Sequence, residues 1–315
     1  MGKLNLKCAL FLFVLYGCVN NAFTQQIPQF SQFVFNNYLV NPAACGISDN
    51  MKVNLGYRTQ WVGFDSAPKT YFISGHTPIS SKNREPRSRN NHHGVGGYIA
   101  ADETGPISQI NLNGSYAYHM RVSYNLWASV GFFAGFKQYK LDPTTLYTAS
   151  PNDVDLVPVN SIVPDITIGV WMYNKEFFGG FSMKQVMPIE LKPSESKLEK
   201  HYALSGGYRF HFKRTNSDLI YALNLKMGTV TPMQMDFSVK YNYRQIGWLG
   251  FSYRKVDAII GMIGVNLSKY LEVGYAYDIT LSKIKGYSSN THEIIIGLKF
   301  MPTRKRNEIK CPMWG

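Results

Sequence analysis

Between Ser108 and Val122 the sequence reads SQINLNGSYAYHMRV and alternates strictly. Ile110, Leu112, Tyr116, Tyr118, Met120 and Val122 share one face, and Gln109, Asn111, Asn113, Ser115, His119 and Arg121 share the other. Successive side chains of an extended strand point to opposite sides, so a period of two demands β-structure. The pattern recurs in Met235, Phe237, Val239, Tyr241 and Tyr243 against Asp236, Ser238, Lys240, Asn242 and Arg244. It recurs again in Leu271, Val273, Tyr275, Tyr277 and Ile279 against Glu272, Gly274, Ala276 and Asp278. A soluble sandwich also alternates, but its apolar face is hidden and built from Val, Leu and Ile. Here the apolar faces carry Tyr and Phe near their ends, and the opposite faces are charged and studded with Gly. That suits strands with lipid outside, a polar lumen inside and aromatic girdles at the two interfaces.

Tilted strands of about 9–11 residues cross an outer membrane. Candidate segments fall at 51–60, 69–79, 93–102, 108–122, 125–141, 165–173 and 176–185, then at 201–212, 218–227, 235–243, 246–254, 257–267, 271–279 and 291–300. They number fourteen, an even count as single-chain bacterial barrels require. The fold expected is therefore all-β, a transmembrane antiparallel β-barrel over 51–300. Links after the fourth, sixth, eighth, tenth and twelfth segments are short (SYN, NK, KRTNS, RQ and SK), whereas 142–164, 186–200 and 280–290 are long. Short periplasmic turns and longer external loops are the usual asymmetry. The first segment then rises to Trp61 at the outer interface, turns through Asp65-Ser66-Ala67-Pro68, and returns. One link breaks the pattern: the periplasmic stretch after the second segment is long and carries Lys82, Arg84, Arg87 and Arg89 against Glu85. It is either a solvated loop or a docking site for an acidic periplasmic partner.

The first 24 residues read as a secretory signal, with Lys3 and Lys7 before an apolar core, Cys8 to Val19, too short to span a bilayer as a helix. Leu15-Tyr16-Gly17-Cys18 has the outline of a lipobox, against which the bulky Tyr16 stands. No later stretch approaches 18 apolar residues, so no second helical anchor is expected. The net charge of +13 fits nucleic acid, anionic lipid or an acidic partner, and export removes nucleic acid from that set. Residues 25–50, rich in Gln, Asn and Phe, do not alternate and precede the first strand; a periplasmic cap or a plug entering the lumen is their natural use. A barrel of this size leaves a channel unless something fills it. The basic tail, 301–315, is expected in the periplasm.

Chemistry-bearing residues are sparse. His92 and His93 are adjacent, so on a strand they face opposite sides and do not share a metal; they read as solvated turn residues. His292-Glu293 lacks the helical HExxH context, and HHGVGG lacks the Lys-Ser/Thr of a phosphate loop, so its glycines are expected to relieve crowding in a barrel strand. No Ser/His/Asp set can be assembled, and neither enzyme nor cofactor is expected. The inward faces place Arg58, Arg121, Lys137, Arg209, Lys226, Lys240 and Arg244 in the lumen, with Asp218, Asp236, Glu272, Asp278 and Glu293. Such charges pair across the lumen or line water, unless the basic excess holds an acidic plug or passenger segment. Cys45 precedes the first strand and Cys311 follows the last, so both are expected in the periplasm as candidates for a disulfide staple contributing about 2–4 kcal/mol.

A series of motifs in order, QFSQFVFNNYLVNPAACG, YRTQWVG with APKT, GVGGYIAADETGP, SYAYH, YRKVDAIIGMIG, GYAYDITLS and THEIIIGLKF with a later CP, resembles the PorP/SprF family of outer-membrane proteins. The resemblance covers essentially the whole mature chain. It departs at Asn290-Thr291-His292-Glu293-Ile294, where the family more often shows Gly-Ser before His-Glu-Ile. It implies a fourteen-stranded barrel related to the fatty-acid transporter type, whose members also carry an Asn-Pro-Ala near the N-terminus, here Asn41-Pro42-Ala43. It further implies work in type IX secretion and gliding, with a periplasmic ring lipoprotein and its companion, and the C-terminal sorting domains of secreted cargo or an adhesin, as partners beside outer-membrane lipid. A transporter or pore for small hydrophobic molecules is the alternative.

Overall fold

Every strand edge carries N–H and C=O groups that hydrocarbon cannot satisfy, so strands in a membrane must close on themselves. The computed structural model describes residues 30–79, 91–142, 158–187, 189–191, 196–229, 232–282, 286 and 289–300. The strands are β1 (Met51–Thr59), β2 (Lys69–Ile79), β3 (Asn91–Thr104), β4 (Ile107–Ser123), β5 (Leu126–Leu141), β6 (Val159–Tyr173), β7 (Phe177–Lys184), β8 (Ile189–Leu191) and β9 (Ser196–Leu198). They continue with β10 (His201–Phe212), β11 (Ser217–Gly228), β12 (Gln234–Tyr243), β13 (Gly247–Arg254), β14 (Ala258–Asn266), β15 (Leu271–Thr280) and β16 (Thr291–Phe300). All but β8 and β9 form one closed, antiparallel, fourteen-stranded barrel, in which β7 pairs directly with β10 and β16 returns to β1. Closure sets Met51 opposite Phe300 and Thr59 opposite His292. β8 and β9 make a separate hairpin inside the link between β7 and β10, which the alternation did not reveal.

The polarity of a soluble core is inverted. On β4, Leu112 is 53 % exposed while its neighbour Asn113 is 2 % exposed. Ile110 and Tyr116 likewise face outward, and Asn111, Ser115 and His119 are buried inward. Burying Asn while exposing Leu makes sense only with hydrocarbon outside, so the chain is a membrane β-barrel. The short turns after β4, β6, β10, β12 and β14 share one end with the start of β1 and the end of β16; we call it the turn end, and the opposite rim the loop end.

Most strand ends fall within one residue of expectation, and β6 and β3 differ by more. β6 starts at Val159 rather than 165, running through Pro164. Val186 N–H donates to Ile166 C=O, so residues 164 and 166 present their main chain to the β7 side, where pairing begins only at Ile168. A missing N–H at Pro164 therefore costs nothing. β3 starts at Asn91, so His92 and His93 are strand residues rather than turn residues. His93 faces outward against Tyr116 and Tyr118, while His92 faces inward, stacked on His119 at 4.3 Å.

The segment from Phe30 to Ser48 lies inside the barrel, and residues 31–48 are buried throughout. It contains two short 3-10 turns, Asn37–Leu39 and Pro42–Ala44. Asn41 caps the second by accepting from Ala43 N–H at 2.9 Å, and Pro42 at its first position needs no partner for a missing N–H. Phe33, Val34, Val40, Ala43 and Ile47 pack with Trp171 and Phe178 of the wall, while Phe35 and Leu39 pack with Phe72, Trp248 and Ile260. The apolar core of this protein thus sits between plug and wall.

Candidate functional site

The plug runs the length of the lumen, and the wall side chains that hold it define the candidate site. At the loop end, Arg58 on β1 lies 3.2 Å from Asp278 on β15 and 3.8 Å from Glu293 on β16. Arg254 on β13 pairs with Asp236 on β12 at 2.8 Å and with Asp257 at 3.5 Å, and Lys226 on β11 completes the chain at 3.0 Å from Asp236. Arg58, Asp236, Arg254, Asp278 and Glu293 are almost wholly buried, while Lys226 and Asp257 are partly exposed. Buried charges are tolerable only when paired and hydrogen-bonded, and here the plug supplies part of that satisfaction. Glu293 accepts from the main-chain N–H of Ser31 at 2.7 Å and of Gln32 at 3.0 Å. Asp278 accepts from the Ser31 hydroxyl at 2.6 Å, and Arg254 donates to the Phe30 carbonyl at 3.3 Å. The tip of the plug is held by ions on its peptide groups.

Beyond the tip, Lys240 on β12 stands 4.3 Å from the Trp248 ring and 5.6 Å from Phe35. Trp248 donates to Glu272 at 2.8 Å, and Lys299 anchors the other carboxylate oxygen at 2.9 Å. The Tyr38 hydroxyl meets Ser115 at 2.6 Å, and Asn36 donates to Ser74 at 2.9 Å. Asn41 enters the seam between β6 and β7, donating to the carbonyls of Val170 at 3.0 Å and Phe181 at 3.1 Å. Outside that same seam lies an apolar depression of about 450 Å³ between Phe132, Ile168, Val170 and Phe181.

Near the turn end the wall again holds the plug by its main chain. Ser129 donates to the Ala43 carbonyl at 2.7 Å. His119 meets the Cys45 carbonyl at 2.7 Å and the Tyr173 hydroxyl at 3.1 Å. His92 meets the Gly46 carbonyl at 3.2 Å, and His76 accepts from Gly46 N–H at 3.1 Å. Glycines on the wall give the plug room: a Cβ on Gly94 would overlap the Cys45 carbonyl, and one on Gly131 would stand 2.8 Å from the Ala43 main chain. Within HHGVGG, Gly94 serves close approach of the plug, whereas a Cβ on Gly97 would crowd the Asn113 carbonyl of the neighbouring strand.

The predicted lumen residues divide. Arg58, Asp236, Asp278 and Glu293 come together around the plug tip, and Lys240 and Glu272 flank Trp248. Arg209 lies low, 3.7 Å from Asp218. Arg121 closes its own turn by donating to the carbonyls of Ser123 and Tyr124. Arg244 is exposed in the turn after β12 with φ 47°, past the end of the alternation. Arg254, His76, His119 and Ser129 were not singled out, although each falls on the inward parity of its strand. Cys45 lies within the lumen rather than at the periplasmic rim, its thiol 3.2 Å from the Ser115 hydroxyl. Burial pushes that thiol up to about 12 and raises the Tyr38 phenol as well. Cys311, the docking residues Lys82, Arg84, Arg87 and Arg89, the signal at 1–24 and the tail at 301–315 lie outside the described residues. Among the described residues no cluster of His, Cys, Asp or Glu has metal-holding geometry.

Against known proteins, a family model described as type IX secretion system membrane protein PorP/SprF matches residues 22–298. The crystal structure of the Ralstonia pickettii toluene transporter TbuX is similar in fold, with TM-score 0.51 and 12 % identity over 84 % of this chain and 92 % of that one. A TodX deletion mutant, described as a monoaromatic hydrocarbon channel, gives TM-score 0.49 and 9 % identity over 85 % of this chain and 94 % of that one. No curated protein sequence matches the chain.

Proposed function

Because the chain belongs to the PorP/SprF family of type IX secretion system membrane proteins, we propose that it is an exported outer-membrane barrel that docks the periplasmic ring of that system at its turn end. Its loop end and lumen face secreted cargo or an adhesin, through their C-terminal sorting domains. The role is binding rather than catalysis.

The observation that carries this is the charge of the turn end. Lys175, Lys213, Arg214, Arg244 and Lys269 stand exposed at the tips of the short turns, against Glu176 there and the partly exposed Asp49 and Asp218 of the same end among the described residues. The opposite rim carries Asp65, Glu103, Asp142 and Asp257 against Lys69, Lys140 and Lys255. A basic crown on the periplasmic side steers and orients an acidic partner, and contributes more to association rate and specificity than to raw affinity. Reversing Lys213, Arg214 and Lys269 to Glu, which touches neither strand pairing nor plug, is expected to abolish co-purification of the ring lipoprotein and its companion while leaving the barrel assembled. Undiminished capture would remove the crown from the mechanism.

The apolar depression at the β6–β7 seam favours a second reading, a route for small hydrophobic molecules from the lipid side. A bound hydrocarbon or lipid in the protein purified from membranes, with ring proteins absent, would support that reading instead.

A further inference from the structure

Residues 30–48 contain no Asp, Glu, Lys, Arg or His, yet the wall around them is rich in such groups. The bonds between the two go largely to the plug's main chain. Glu293 takes two consecutive peptide N–H groups, and Arg254 takes the carbonyl before them. Lys184 donates to the Leu39 carbonyl at 3.3 Å and Ser182 to that of Val40 at 2.9 Å. Towards the turn end Ser129 and His119 bond the Ala43 and Cys45 carbonyls, and His76 accepts from the Gly46 N–H. Peptide groups are common to every polypeptide, so this part of the recognition does not depend on the plug's own sequence. Sequence-bound anchors also exist, chiefly Ser31, Asn36, Tyr38 and Asn41.

The plug also traverses the barrel. Its tip is held at the loop end by Glu293 and Arg254, and its other end passes His76 before entering β1 at the turn end. Any peptide lying in its place would connect the two sides. From the main-chain contacts and this path we infer that the lumen is a polypeptide-binding channel, filled in the resting protein by residues 30–48, whose exchangeable ligand is an uncharged peptide segment of another chain. Absence of charge is part of the specificity. The ions around the plug tip are already paired with one another, and a further charge brought among them would be desolvated without a counter-ion. The inference does not rest on the docking role, since ring capture and peptide exchange are separate measurements.

The test turns the plug into a free ligand. A protease recognition sequence inserted between Asp49 and Asn50, which are partly exposed at the turn end, allows the plug of the full-length protein to be cut after assembly in detergent. The probe is a fluorescent synthetic peptide of residues 25–48, challenged with an unrelated uncharged peptide of equal length. A third peptide has the 25–48 sequence with N-methyl groups on the amides of Ser31, Gln32 and Gly46. The probe is expected to exchange in saturably, and the unrelated peptide to compete saturably but about a hundred- to a thousandfold more weakly, because it lacks the side-chain anchors of Ser31, Asn36, Tyr38 and Asn41. The N-methylated peptide should be weaker than the probe by about a thousandfold or more, as the loss of two donors to the Glu293 carboxylate and one to His76 implies. A cut plug that never exchanges, binding confined to the native sequence, or full binding by the N-methylated peptide would each overturn the inference. If the insertion prevents assembly, judged by heat-modifiable mobility, the uncut chain carrying Ser31→Pro and Gln32→Pro is given the same peptides. Saturable, N-methyl-sensitive binding there supports the inference, and its absence overturns it.

Discussion

Replacing Glu293 with Gln is the sharpest perturbation of the plug's anchorage. The carboxylate accepts from two successive peptide N–H groups, at 2.7 Å from Ser31 and 3.0 Å from Gln32, and sits 3.8 Å from Arg58. An amide has nearly the same shape but one acceptor oxygen, so one peptide N–H is left facing an NH2 group. A hydrogen bond to a charged acceptor contributes about 1.5–3 kcal/mol, and an orphaned buried donor costs about 1–3 kcal/mol in its own right. Arg58 keeps Asp278 at 3.2 Å, which spares the larger cost of a fully stranded buried cation. The net loss of tip docking should therefore be about 2–4 kcal/mol, or roughly 30- to 1,000-fold in the open population. Hydrogen exchange followed by mass spectrometry reads this directly: amides of 30–34 should lose protection by that factor, while those of β4 and β5 stay unchanged. Unchanged tip protection would refute the claim that the ion cluster holds the plug.

Other consequences are independent of that cluster. Asn41→Ala removes the bonds to Val170 and Phe181 and the cap on Ala43, and is expected to destabilise the middle of the plug by about 1–3 kcal/mol, seen as faster exchange at 40–46. Gly94→Val forces a side chain into the Cys45 carbonyl, so the end of the plug near the turns should be displaced and single-channel conductance in planar bilayers should rise above that of the parent. Cys45, buried and with its thiol raised to about 12, should resist maleimide at pH 8 in the folded protein and react once unfolded, where an ordinary thiol titrates near pH 8.5. Rapid labelling of the native protein would mean that the lumen is open at that level.

The wall was legible in the sequence because each strand repeats a local rule, apolar to lipid and polar to lumen, and most boundaries fall within a few residues of the alternation. Pro164 hid the first half of β6, because a strand with nothing paired on one side tolerates a residue that the rule treats as a breaker. The plug has no such period. Its form comes from partners far away in the chain, Ser31 on Glu293 being 262 residues apart, and nothing local announces them. His92 shows the same limit. Asn-Asn-His-His-Gly has the composition of a turn, and only the plug's passage explains why histidine and glycine stand there in a strand. The ions were legible as inward residues, but which of them meet was not, because register across the closing pair of strands decides it. Arg254 sits directly opposite Asp236 across the neighbouring β12–β13 pair, so it was legible and was missed, although it holds both Asp236 and the plug tip.

The central claim, that this barrel serves type IX secretion by docking, is tested most directly by mass spectrometry of secreted and surface proteins from a deletion strain beside its parent, with the deletion complemented by the intact gene or by the Lys213→Glu, Arg214→Glu, Lys269→Glu form. The account predicts that cargo carrying type IX sorting domains is lost on deletion, one adhesin for a dedicated anchor or many proteins for a core part. Those proteins should return with the intact gene and not with the reversed crown. An unchanged secretome on deletion would contradict it and leave transport of small hydrophobic molecules as the better account.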